Sequence, residues 1–147
     1  MIWLLILVAF TAGMLMPVQA GVNAELRLLI GHPILTALFQ FCVGITLLIA
    51  VLIVTRPALP QWGKLAAAPW WVWTGGICGA IYIISTILLA PRVGAATLIS
   101  VTVTGQLLMS IVLDHFGFIG YPVHPVNPWR ILGAGLLLAG VQLIRRF

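Results

Sequence analysis

Five apolar stretches separated by short polar or prolyl clusters dominate this chain, at roughly residues 2–22, 33–54, 70–90, 93–113 and 128–144. A helix needs about 20 apolar residues to cross the hydrocarbon of a bilayer, and the first four stretches reach that length. The fifth has a shorter fully apolar core, 131–141, but Arg130 before it and Arg145 and Arg146 after it can snorkel to the two interfaces. In lipid, each backbone N–H and C=O must be satisfied within the segment, so such spans fold as helices. The sequence therefore predicts an all-α integral membrane protein, a single domain of about five transmembrane helices over residues 1–147.

Composition excludes the soluble alternatives. Only 6% of residues are charged and 63% are hydrophobic, against about 25% charged in a soluble domain, so a water-facing surface could not be covered. The connections are short: 23–32, 55–69, a tight turn at Pro91-Arg92, and 114–127, where Pro122, Pro125 and Pro128 forbid a continuous helix. Trp62, Trp70, Trp71, Trp73 and Trp129 gather at the borders, where an amphipathic indole is at home. The seven Lys/Arg residues stand mostly singly at span ends rather than in a patch. That pattern suits lipid headgroups as partners and argues against nucleic acid. Cys42 and Cys78 lie inside apolar runs and read as small core residues, not as a disulfide or metal site.

The first stretch has a rival reading as a signal peptide. Val18 and Ala20 precede Gly21 as a signal peptidase site requires, but no Lys or Arg precedes the apolar run. The missing charged segment argues against cleavage. Orientation is nearly undetermined by charge. Arg56, Lys64 and Arg130 fall on one side, and Arg27, Arg92, Arg145 and Arg146 on the other, a difference of one. Either the C-terminus lies in the cytoplasm, or the chain inserts both ways round.

Polar side chains inside the spans carry the functional information, because each needs a partner or a cavity. On the first helix, Pro17 either breaks the helix just before the i, i+4 amides Gln19 and Asn23, as in transporter sites, or merely lies near its end. On the second, Thr36, Gln40 and Gly44 form one polar face. On the third, Thr74, Cys78, Tyr82 and Ser85 form a stripe beside the small-residue groove of Gly75 and Gly79. On the fourth, Thr97, Ser100 and Thr104 oppose Thr102, Gln106 and Ser110, which predicts a central helix touching a cavity on one side. Self-bonding to backbone carbonyls would account for the hydroxyls but not for Gln106. The acids Glu25 and Asp114 sit at span ends, either as proton-coupling groups, with His115 beside Asp114, or as solvated helix termini. Nothing in the pattern supplies a nucleophile–base pair, a metal cluster or a phosphate loop, so no enzyme, cofactor or metal is expected.

Several segments, in order, resemble a known family. They are Gln19-Ala-Gly-Val-Asn23-Ala-Glu-Leu-Arg27, His32-Pro33, Phe41-Cys-Val-Gly44 and Gly75-Gly-Ile-Cys-Gly79. Ala90-Pro-Arg-Val-Gly94, Gly105-Gln106, Asp114-His-Phe-Gly117 and Arg130-Ile-Leu-Gly133 follow. Together they resemble the YdcZ family of inner-membrane exporters, in the drug/metabolite transporter superfamily, over nearly the full length. The resemblance implies a multi-pass protein of the bacterial plasma membrane. It also implies a five-helix half-transporter, half of an inverted-repeat ten-helix assembly, paired with an oppositely inserted copy or a related five-helix protein. The near-balanced cations fit that pairing, and an odd helix count yields inverted halves on tandem fusion. Small multidrug transporters of the superfamily use a glutamate in the middle of their first helix, and this chain has none, so proton-coupled export of cationic drugs does not carry over.

The resulting expectation is a secondary transporter exporting a small metabolite or drug-like molecule by alternating access as a dimer. Its substrate would sit between the first helix beyond a break at Pro17 and the third and fourth helices, bonded by Gln19, Asn23, Tyr82 and Gln106. Glu25, Asp114 and His115 are the candidate coupling groups. A non-transporting accessory subunit and a lipid-carrier flippase are the alternatives.

Overall fold

The computed structural model describes residues 2–147, which fold as helices without a strand. They are α1 (Ile2–Ile30), α2 (Pro33–Thr55), the short α3 (Trp62–Ala66), α4 (Gly75–Val93) entered through a 3-10 turn at Trp70–Thr74, α5 (Ala95–Phe116) and α6 (Pro128–Arg146). Four segments are long and apolar enough to cross a membrane: Ile2–Ile30, Pro33–Thr55, Trp70–Val93 and Ala95–Phe116. The stretch expected as a fifth span forms a 19-residue helix, α6, which carries Arg130, Arg145 and Arg146 and falls outside that set. Apolar side chains point outward along these helices, with Val43, Leu47, Leu48 and Ile53 of α2 all more than half exposed. Such a surface is stable only against lipid or another apolar partner.

The helix ends follow from local chemistry. Pro33 opens α2 at a position where its missing N–H costs nothing, after His32 in an extended conformation. Arg56 closes α2 in the left-handed region, donating its N–H to the Leu52 carbonyl, and Pro57 bars continuation. The Asn127 side chain caps α6 by accepting the Arg130 N–H at 2.9 Å, with Pro128 at the first helical position.

Two expectations about helix boundaries are corrected. Helix α1 does not break or end near Pro17. It runs on through residues 18–30, about 43 Å at 1.5 Å per residue, longer than the hydrocarbon is thick. A proline removes one helical hydrogen bond, and the turns on either side hold the helix across it. The link to α2 thus shrinks from ten residues to Gly31 and His32. Likewise Pro91-Arg92 is not the turn between spans, because α4 continues through it to Val93. Helix α4 ends at Val93 and α5 begins after Gly94, whose φ of +79° and ψ of 158° suit glycine alone.

The chain divides into two compact units. One is Val18–Pro91, and the other joins α1 up to Pro17 with Arg92–Phe147. In the first, the buried residues are Ala20, Asn23, Thr36, Ala37, Thr86 and Ile87; in the second, they are Leu98 and Thr104, with α5 packed along α6.

Candidate functional site

A polar group in a membrane bundle either bonds within its own helix or needs an outside partner. Most of the Ser and Thr hydroxyls do the former. Thr36 donates to the His32 carbonyl (3.0 Å), Ser85 to Ile81 (2.7 Å), Ser100 to Ala96 (2.7 Å), Thr104 to Ser100 (2.8 Å) and Ser110 to Gln106 (2.8 Å). Ser100, Thr102, Thr104 and Ser110 of the two α5 stripes therefore make no demand for a cavity. Gln106, which this explanation does not cover, is exposed midway along α5.

Asn23 does neither. Its side chain is 0% exposed, and neither Oδ1 nor Nδ2 has a hydrogen-bond partner. An unpaired buried amide costs about 1–3 kcal/mol, and a fold keeps such a group where something other than stability requires it. The surroundings follow from the ends of three helices. Ala20, Asn23 and Arg27 recur at three- and four-residue spacing on one face of α1. The two-residue link sets the first turn of α2 beside the last turn of α1, with Thr36 and Ala37 buried. The end of α4 joins them through Arg27, whose guanidinium donates to the Ile87 carbonyl at 3.4 Å.

That last contact has a specific cause. In a helix the carbonyl of residue 87 accepts from the N–H of residue 91, and residue 91 is a proline with no N–H. The Arg27 guanidinium supplies the missing donor, over a long and weak bond. Beside it opens a cavity of about 380 Å³ lined by Ala24, Glu25, Arg27, Leu28, Gly31 and Pro91. A cation and an acid thus share one wall, a turn from the unpaired amide, at the border end of α1.

Of the sequence-derived candidates, Gln19, Asn23, Glu25 and Tyr82 belong to the Val18–Pro91 unit. Asn23 is buried, Gln19 and Tyr82 are half-buried, and Glu25 is exposed on the cavity wall. Gln106, Asp114 and His115 belong to the other unit. Sequence reasoning missed Arg27 and Pro91 as parts of this arrangement. The proline at 91 signals that the carbonyl at 87 needs a donor, but nothing local names an arginine 60 positions away.

Asp114 and His115 fasten the connection between α5 and α6. The Asp114 carboxylate pairs with Arg130 at 3.2 Å, and its backbone carbonyl accepts the His124 N–H at 2.8 Å. Arg130 also donates to the His124 carbonyl at 3.0 Å, and His115 Nδ1 accepts the Val126 N–H at 3.1 Å. The ion-pair side chains are 31% and 27% exposed, so water weakens the pair. Asp114→Asn is expected to cost about 0.5–1 kcal/mol, read as a lower melting temperature in detergent whose difference from wild type shrinks in high salt.

Comparison with known proteins adds the family. Residues 4–143 match the family described as "Putative inner membrane exporter, YdcZ". The inner membrane protein YdcZ of Escherichia coli strain K12 is 32% identical over 115 residues, covering 77% of this chain and 75% of its own length. No solved structure matches the chain.

Proposed function

This chain belongs to the YdcZ family of inner membrane exporters, and from that premise we propose that it is a secondary transporter exporting a small metabolite or drug-like molecule by alternating access. It is a multi-pass protein of the bacterial inner membrane. The observation that carries the reading is Asn23, an amide held without partners at zero exposure on α1. A scaffold helix gains nothing from such a group, whereas a substrate-binding face needs hydrogen-bonding capacity that the protein itself leaves unused. Gln19 shares its face of α1, and Tyr82 on α4 adds a hydrogen-bonding group within the same unit. Gln106 belongs to the other unit, where its amide is exposed on α5. Glu25 is the acid on the cavity wall and the first candidate for coupling. A coupling role for Asp114 with His115 would require the ion pair to Arg130 to open.

The working unit in this proposal is a pair. With α6 as a fifth span, the chain is half of a ten-helix transporter, completed by an oppositely inserted copy or by a related five-helix protein. The nearly equal cations on its two sides support insertion both ways. The exposed amide of Gln106, otherwise facing lipid, supports a partner along α5.

Labelling tests this pairing. A single cysteine is appended after Phe147 on a Cys42→Ala/Cys78→Ala background, and intact cells are treated with an impermeant thiol reagent, total labelling after lysis serving as reference. About half of the total is expected, from two coexisting orientations. Labelling near zero or near complete means one fixed orientation. A different chain must then supply the inverted half, and the accessory-subunit reading takes first place.

A further inference from the structure

The cavity at the end of α1 carries two opposite charges that do not neutralise each other. Glu25 and Arg27 both line it, yet the ion pair formed among the described residues is Arg130 with Asp114. Two residues apart on one helix, the two side chains do not face each other, and both residues nevertheless contribute to the lining of the same cavity. The rest of the lining, Ala24, Leu28, Gly31 and Pro91, is small or apolar. Arg27 is half-buried and holds the Ile87 carbonyl only at 3.4 Å, leaving most of its five donors unused. A turn away, the Asn23 amide is fully buried with both its donor and its acceptor free.

We propose that this site binds a small zwitterion of the amino-acid type, with its carboxylate on Arg27, its ammonium on Glu25 and its apolar side chain against Leu28 and Pro91. The assignment rests on the transporter reading for its physiological meaning and names that transporter's substrate class. Charge complementarity selects among the alternatives. A net anion meets the Glu25 carboxylate, a net cation meets the Arg27 guanidinium, and a neutral molecule leaves both charges unanswered. A zwitterion satisfies both at once, and a volume of about 380 Å³ accommodates an amino acid with some water. Carboxylate binding also exchanges a weak bond to a neutral carbonyl for a charge-assisted, bidentate one on the same guanidinium. Loading the site therefore detaches Arg27 from α4 at its proline, which links substrate binding to the joint between α1 and α4.

The test uses one skeleton in four charge states: L-leucine (zwitterion), leucinamide (cation), N-acetyl-leucine (anion) and N-acetyl-leucinamide (neutral). Their affinities for the purified full-length protein are measured by calorimetry and by shift of the melting temperature. L-Leucine is expected to bind roughly tenfold or more tightly than each of the other three, as the loss of one charged hydrogen bond implies. In Arg27→Gln the preference should pass to leucinamide, and in Glu25→Gln to N-acetyl-leucine. Equal affinities across the series, or no binding of L-leucine to the wild type, overturn the proposal, and those results need no variant. A preference that survives unchanged in a folded Arg27→Gln protein overturns it as well. The series measures binding and requires neither export nor a paired copy. Its failure leaves the transporter reading standing, while its success with a fixed-orientation chain would make this the ligand site of a protein that does not transport alone.

Discussion

Replacing Asn23 by leucine is expected to make the protein more stable and to stop its transport. The two side chains are similar in size, and the site is fully enclosed, with Asn23 at 0% exposure and both amide atoms unpaired. Leucine there removes the desolvation penalty and adds apolar contact, worth together about 1–3 kcal/mol. The purified variant should melt above wild type in the same detergent. Thr36 is the control, since it is equally buried but donates to the His32 carbonyl at 3.0 Å. Thr36→Val should change stability little or lower it slightly, because its hydrogen bond is already made. A lower melting temperature for Asn23→Leu would mean that the amide has a structural partner and is not reserved for a ligand.

The second large effect is expected at Gly117, the residue that turns the chain out of α5. Its φ is +65°, and a Cβ there would lie 2.7 Å from Val123 Cγ2. Alanine therefore suffers twice, through about 1–2 kcal/mol of left-handed strain and through a contact that the stiff, branched Val123 cannot relieve by rotating. Gly120, with φ of +83° and open space around its Cβ position, separates the two terms, because Gly120→Ala meets only the strain. Gly117→Ala should melt below Gly120→Ala, and both below wild type. Hydrogen exchange should rise at the His124 and Val126 amides in Gly117→Ala, as the loop held by Asp114 and His115 loosens. Equal melting temperatures for the two variants would show that Val123 does not pack against residue 117.

Hydropathy made the membrane helices legible, because runs of about 20 apolar residues have few other uses. The limits of α1 were not, and the reason is chemical. The cluster of Asn23, Glu25 and Arg27 looks like a loop only if polar residues are assumed to end helices. At a membrane border a helix can carry them onward, and α1 does so to Ile30. The prolines misled in the same direction, since Pro17 and Pro91 each lie inside a helix whose flanking turns hold it. Asn23 itself could be found, as an amide four residues from Gln19 in an apolar span. Arg27 could not, because its role depends on a carbonyl contributed by α4, and no local pattern encodes a contact across 60 residues. The polar stripes of α5 were over-read. The hydroxyls of Ser100, Thr102, Thr104 and Ser110 are spent on their own helix, and the exposed Gln106 still calls for a partner.

The most direct test of export through Asn23 does not require the substrate to be identified in advance. Cells producing the wild-type chain, Asn23→Leu at equal membrane abundance, or no additional protein are grown side by side, and the small metabolites in their media are profiled. The account predicts at least one metabolite enriched outside the wild-type cells and returned to the background level by Asn23→Leu. Wild-type medium that matches the background, or an Asn23→Leu variant that exports as well as wild type, would contradict it.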